Sequence, residues 1–144
     1  MSLKKIKGVL NTPEWITEYY DFAVHGGVKD VAIPLFDLMD NAIVHDVQVE
    51  TVTAPVGATA TVEIGLATTD TDGFLTQVGI ASLPELTGEL DKGALLLTTV
   101  VDAAKTSKPY KINSSTGKTV DLLIGTANLT AGKLAVKLLV SAGH

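Results

Sequence analysis

The chain has 144 residues, a net charge of −5 and no cysteine, and all eleven of its cations are lysine. That length fits one domain, which buries roughly 68–70% of its unfolded surface, and the missing cysteines exclude disulfides, thiolate metal sites and a cysteine nucleophile. An acidic chain without arginine lacks the planar fork that grips phosphate and reads base edges, and its few aromatics give no stacking platform, so nucleic acid is excluded as a partner.

Residues 1–13 read as an extended N-terminal arm, with Lys4, Lys5 and Lys7, then Gly8 and Asn11-Thr12-Pro13, and no period long enough for a helix. Extended, those thirteen residues span roughly 40 Å. The start is basic with no apolar stretch behind it, so it does not read as a secretory signal. From Trp15 to Val24 come Trp15, Tyr19, Tyr20 and Phe22, residue types that favour strands, and this segment is expected to be a first or edge strand.

After His25-Gly26-Gly27, the run from Lys29 to Phe36 puts Val31, Ile33 and Leu35 on one face, and Pro34 marks an edge or a strand end. Asp37 to Asn41 reads as a turn. Ala42 to Thr53 is the longest expected strand, with Ile43, His45, Val47 and Val49 facing one way. Ala54-Pro55-Val56-Gly57 leads into Thr59 to Leu66, where Ala60, Val62, Ile64 and Leu66 alternate with polar or small residues, and the two strands are expected to pair as a hairpin.

Asp70 to Gly73 reads as a turn, and Phe74 to Leu86, with mixed apolar spacing, as a short helix or irregular excursion. Strands resume at Ala94 to Val101, near Tyr110 to Ile112, at Thr119 to Gly125 and at Leu134 to Val140, with residues 126–132 closing a last hairpin. The longest clean apolar stretch, Gly93 to Leu97, is far short of the ~20 residues a bilayer requires, so no membrane partner is expected. About eight strands in an all-β chain point to an antiparallel β-sandwich of jelly-roll type over residues 14–144.

No catalytic constellation is visible. His25, His45 and His144 have no second histidine at ligand spacing, no serine sits in a Gly-x-Ser-x-Gly turn, and no cofactor is called for. His45 is expected to be a hydrogen-bonded histidine at the buried face or its rim. Asp70-x-Asp72-Gly73 opens like a calcium loop, but Ala81 stands where the closing glutamate belongs, so Asp70 and Asp72 read as a turn first and a weak calcium candidate second. Asn113-Ser114-Ser115 and Asn128-Leu129-Thr130 match the glycosylation pattern but read as turns. Val44, Leu123 and Leu139 break the polar face of their strands and, with Trp15 and the arm lysines, are candidates for an interface.

Three stretches carry a family resemblance. They are His25-Gly26-Gly27-Val28-Lys29-Asp30-Val31-Ala32-Ile33-Pro34-Leu35; Ala42-Ile43-Val44-His45-Asp46-Val47-Gln48-Val49; and Ala58 to Leu66, followed by Asp70-Thr71-Asp72-Gly73-Phe74-Leu75. With Pro109-Tyr110-Lys111-Ile112 and Leu129 to Val136, the chain resembles the head decoration, or cement, proteins of tailed bacteriophages over about residues 25–140. The resemblance implies a jelly-roll subunit, commonly a homotrimer, made in the host cytoplasm and placed on the capsid surface, where it clamps the major capsid protein. A virion structural protein that is not an enzyme is therefore expected. The alternative is a carbohydrate- or receptor-binding module of a tail or head fibre; a cupin-type metal enzyme fails for want of paired histidines.

Overall fold

A computed structural model of the chain describes residues 12–67, 69–83, 93–99, 105–113 and 118–143. In chain order the strands are β1 (Glu14–Asp21), β2 (Ala32–Asp37), β3 (Ile43–Val56), β4 (Thr61–Leu66) and β5 (Asp70–Gly79), then β6 (Leu97–Thr99), β7 (Lys105–Ser107), β8 (Tyr110–Lys111), β9 (Thr119–Gly125) and β10 (Ala131–Ser141). Eight of them build two four-stranded sheets, ordered β1-β10-β3-β8 and β2-β9-β4-β5, while β6 and β7 pair separately. The expected β-sandwich is present. Its strands cross from one sheet to the other at β1–β2, β2–β3, β3–β4, β8–β9 and β9–β10, which is jelly-roll wiring.

That wiring corrects two expectations. Neither 54–57 nor 126–132 closes a hairpin, because β3 and β4 lie in opposite sheets, as do β9 and β10. The described hairpin within a four-stranded sheet is β4–β5, and β5 begins at Asp70, so Asp70 to Gly73 is strand and not turn. Phe74 to Gly79 is likewise strand, followed by a single 3-10 turn at Ile80–Ser82. The reason lies in two glycines. Gly65 leaves room for the Asp70 carbonyl and the Thr71 backbone where a Cβ would stand, so the second arm of the hairpin can fold tightly onto the first, and Gly73 leaves room for Leu95 on the segment that follows.

The two sheets meet through alternating residues. Ile16 and Tyr20 of β1, and Leu134, Val136, Leu138 and Val140 of β10, face Val62, Ile64, Val120, Leu122 and Ile124 across the sandwich, all buried. Each such aliphatic or aromatic side chain contributes roughly 1.5–3 kcal/mol on leaving water. Phe74 is fully buried and meets Tyr110 edge-on at 6.1 Å between ring centroids, tying β5 to β8 at the far side of the sandwich.

The long strand β3 does not keep one period. Leu139 pairs with Asp46 but Val140 pairs with Val44, so one residue of β3 is left over at His45. The bulge reverses which side chains point inward. Val44, expected on the outer face, is therefore fully buried beside Val47 and Val49, and it is not available to a partner. A second shift in β2, between Pro34 and Phe36, buries Leu35 and Phe36 together, while Val31, which lies before the strand begins, is exposed.

β1 ends one turn earlier than expected. Asp21 Oδ1 accepts from the Ala23 N–H at 3.0 Å and caps a single helical turn, α1 (Phe22–His25). Gly26, at φ 73°, ends that turn in a conformation glycine adopts without strain.

Candidate functional site

The histidine–glycine turn is structural. The Asp21 N–H donates to His25 Nδ1 at 3.0 Å, the Tyr20 hydroxyl donates to the Gly26 carbonyl at 2.7 Å, and Tyr20 stacks on His25 with centroids 5.8 Å apart. Gly27 packs so closely on the Leu129 backbone that a Cβ there would collide with it. His45 makes the expected hydrogen bond, its Nε2 lying 2.7 Å from Ser141 Oγ. His144 and the arm residues Lys4, Lys5 and Lys7 lie outside the described residues. Asn128 serves its loop, its Oδ1 accepting from the Lys29 N–H at 2.9 Å; Ser114 and Ser115 also lie outside the described residues.

On the outer face of the first sheet Trp15, Leu139 and Asp46 lie in one cross-strand row, and Tyr19, Ala135 and Glu50 in another. Trp15 and Tyr19 are 44% and 47% exposed, large values for aromatics on a strand, whereas Leu139 between the strands is half-buried. Charged neighbours frame them. Lys133 Nζ lies 5.0 Å from the Tyr19 ring centroid, a cation–π contact, and Lys137 Nζ lies 2.7 Å from Glu50 Oε2.

The connection from β1 to β2 adds Val24, Val28 and Val31, each more than half exposed. β1 and β2 are the outermost strands of their sheets and touch one another, and the segment that carries these valines joins the two. Scattered valines in a glycine-containing loop gave no signal in the sequence, because no period marks an exposed turn. Trp15 was a candidate from the start; Tyr19 became one only once its face was known.

The outer face of the second sheet is acidic. Leu123 is half-buried there, in a row between Ala32 and Glu63, and the next row places Asp121 between Pro34 and Gly65. Thr71 donates its hydroxyl to Glu63 Oε2 at 3.0 Å. Desolvation raises the Glu63 carboxyl above its ordinary range; the Thr71 hydrogen bond opposes that rise and the charges of Asp72 and Asp70 add to it. Desolvation also raises Asp70, helped by a hydrogen bond with Asp72 and by its charge. Asp121 is raised by desolvation, and its Oδ1 is fully shielded with no hydrogen-bond partner among the described residues. Asp70 and Asp72 thus lie in a strand and interact with each other, and no set of three metal-ligating side chains occurs among the described residues.

Trp15, Leu123 and Leu139 do not form one patch. Trp15 and Leu139 are neighbours on the first sheet, whereas Leu123 lies on the outer face of the second. The arrangement offers area, aromatic anchors and charge.

The sequence matches no protein-family model and no curated protein. Its fold is that of chains in two phage capsids. One is from the acid-stable capsid of the Helicobacter pylori bacteriophage KHP30, at 17% identity and a TM-score of 0.53 over 92% of this chain and 90% of that one. The other is from the capsid asymmetric unit of cyanophage Pam1, at 14% identity and a TM-score of 0.55 over 99% of this chain and 92% of that one. At such identities the likeness is one of fold.

Proposed function

We propose that this protein is a decoration or cement subunit of a phage head, bound to the major capsid protein on the capsid surface and acting through protein contacts alone. The observation that carries the reading is the exposure of Trp15 and Tyr19 on the outer face of the first sheet, with Val24, Val28 and Val31 exposed in the connection that follows β1. Aromatic anchors within an apolar patch and a polar rim are what protein interfaces are built from. The fold likeness to chains of two phage capsids supports placing that surface in a virion. A homotrimer, with Lys4, Lys5 and Lys7 of the arm reaching a neighbour, completes the proposal.

Adding purified protein to heads assembled without it, then imaging the particles, tests this reading. Regularly spaced density on the outer surface is the expected result; bare heads with all the protein left in solution would refute it. The pair Trp15 and Tyr19, four residues apart on one exposed face, also favours a second reading as a glycan-binding module, because aromatic faces stack on sugar rings. Saturable binding in a glycan screen, with no binding to heads, would establish that alternative.

A further inference from the structure

We propose that β1 pairs antiparallel with β1 of a second copy about a two-fold axis at Thr17, which joins the first sheets of the two copies into one. β1 is the outermost strand of its sheet and pairs with β10 in unbroken register from Glu14↔Val140 to Asp21↔Lys133, with no strand on its other side among the described residues. A long, regular edge leaves alternate backbone N–H and C=O groups ready for another strand. The matching edge of the second sheet is poorer, because β2 carries Pro34 within the strand and a proline has no N–H to donate.

The side chains of β1 select its own sequence as the occupant and fix the register. Alternation puts Trp15, Thr17 and Tyr19 on the outer face and Ile16, Glu18 and Tyr20 on the inner one. Two copies whose outer faces lie on the same side must therefore set odd-numbered residues opposite odd-numbered ones. The acids exclude most such registers, since like charges directly opposite are destabilising. Centred on Glu18, the strands set that half-buried carboxylate against itself; centred on Ile16, they set Glu14 against Glu18. Centred on Tyr19, they run residues 14–16 of each copy into α1 of the other. Centred on Thr17, they pair Glu14 with Tyr20, Trp15 with Tyr19, Ile16 with Glu18 and Thr17 with itself, and no two acids meet directly.

The same register makes favourable pairs. The exposed Trp15 and Tyr19 of one copy face Tyr19 and Trp15 of the other, and aromatic pairs and threonine pairs both stabilise when set directly across two strands. β10 places Lys133 opposite Asp21 and Lys137 opposite Thr17, so cations of its own sheet border each acidic strand. An edge complementary to itself gives a closed, two-fold contact. The paired aromatics still face outward, so the contact extends the surface on which the proposed function rests and does not cover it. It goes beyond that function, is separate from the trimer, and needs no capsid, so its failure on the purified protein would leave the capsid reading standing.

The test uses the purified full chain. Thr17 meets its own copy at the axis, so Thr17→Lys and Thr17→Glu each set like charges face to face, whereas an equimolar mixture of the two variants sets a lysine against a glutamate. By sedimentation equilibrium the wild-type protein should form a dimer, either variant alone should form it about tenfold more weakly, and the mixture should recover it. Wild-type protein that forms no dimer, or a mixture no better than its components, would overturn the proposal. The chain has no native cysteine, so a second measurement covers the case in which the charged variants fold poorly. Thr17→Cys should give disulfide-linked dimers under mild oxidation, whereas Glu18→Cys, whose copies stand on a diagonal in this register, should be too far apart to link. Thr17→Cys chains that stay unlinked, or Glu18→Cys chains that link as readily, would also overturn it.

Discussion

His45 and Ser141 bind one another across the first sheet, His45 Nε2 to Ser141 Oγ at 2.7 Å, at the point where the β3 bulge meets the end of β10. Ser141 is the buried polar residue of the described core, and the imidazole satisfies its hydroxyl. Removing the ring by His45→Ala strands a buried hydroxyl and should cost about 1–3 kcal/mol, whereas Ser141→Ala should cost only about 0.5–1.5 kcal/mol. Urea unfolding of both variants checks the order; equal costs would show that the pair does not hold the bulge.

Leu122 lies at the centre of the second sheet, fully buried between β2 and β4. Leu122→Ala should destabilise by about 2–5 kcal/mol through lost transfer energy and the cavity left behind. A fall of about 1 M or more in the urea midpoint is expected. Leu123→Ala, on the half-buried outer face of the same strand, should cost much less.

Acid should stabilise the second sheet. Glu63, Asp70 and Asp121 all have carboxyls raised by desolvation. A raised folded-state value means the native protein holds these protons more tightly than the unfolded chain. Their stabilising contribution is full below the ordinary carboxylate value near 4 and is lost as pH rises through the raised values. Urea midpoints measured from pH 4 to pH 7 should therefore show these groups favouring the acid end. Asp121→Asn, which removes the charge beside a shielded oxygen with no described partner, should raise the midpoint at pH 7 and leave it nearly unchanged at pH 4.

Gly132 sits at φ 135°, and a Cβ on it would fall 2.7 Å from Pro55 Cα. Both the backbone conformation and the contact oppose any side chain. Gly132→Ala should destabilise by about 1–3 kcal/mol, read as a lower melting temperature in a calorimetric scan.

The sandwich was legible where alternation ran unbroken, as in β9, whose bounds Thr119–Gly125 coincide with those expected from the sequence. It misled at His45, because one extra residue moves every later side chain to the other face, and that is how Val44 came to be assigned to the surface. Turn residues at 54–57 and 126–132 announced that the chain reverses but carried no information on which sheet the next strand joins. Phe74 and Leu75 are both buried, so the start of β5 shows no period of two, and Gly73 beside Asp70 and Asp72 looked like a turn signal. The candidate surface was partly legible: Trp15 stood out as a lone tryptophan, but exposure of Tyr19 and the loop valines follows from β1 lying at a sheet edge.

The central claim is that this protein reinforces a shell by contact through the Trp15–Tyr19 side of the sandwich. Heads assembled without the protein, then saturated with it, should release their DNA at a higher temperature than bare heads, and the Trp15→Ala, Tyr19→Ala double variant should lose most of that gain while remaining folded. A rupture temperature unchanged by the wild-type protein would contradict the account.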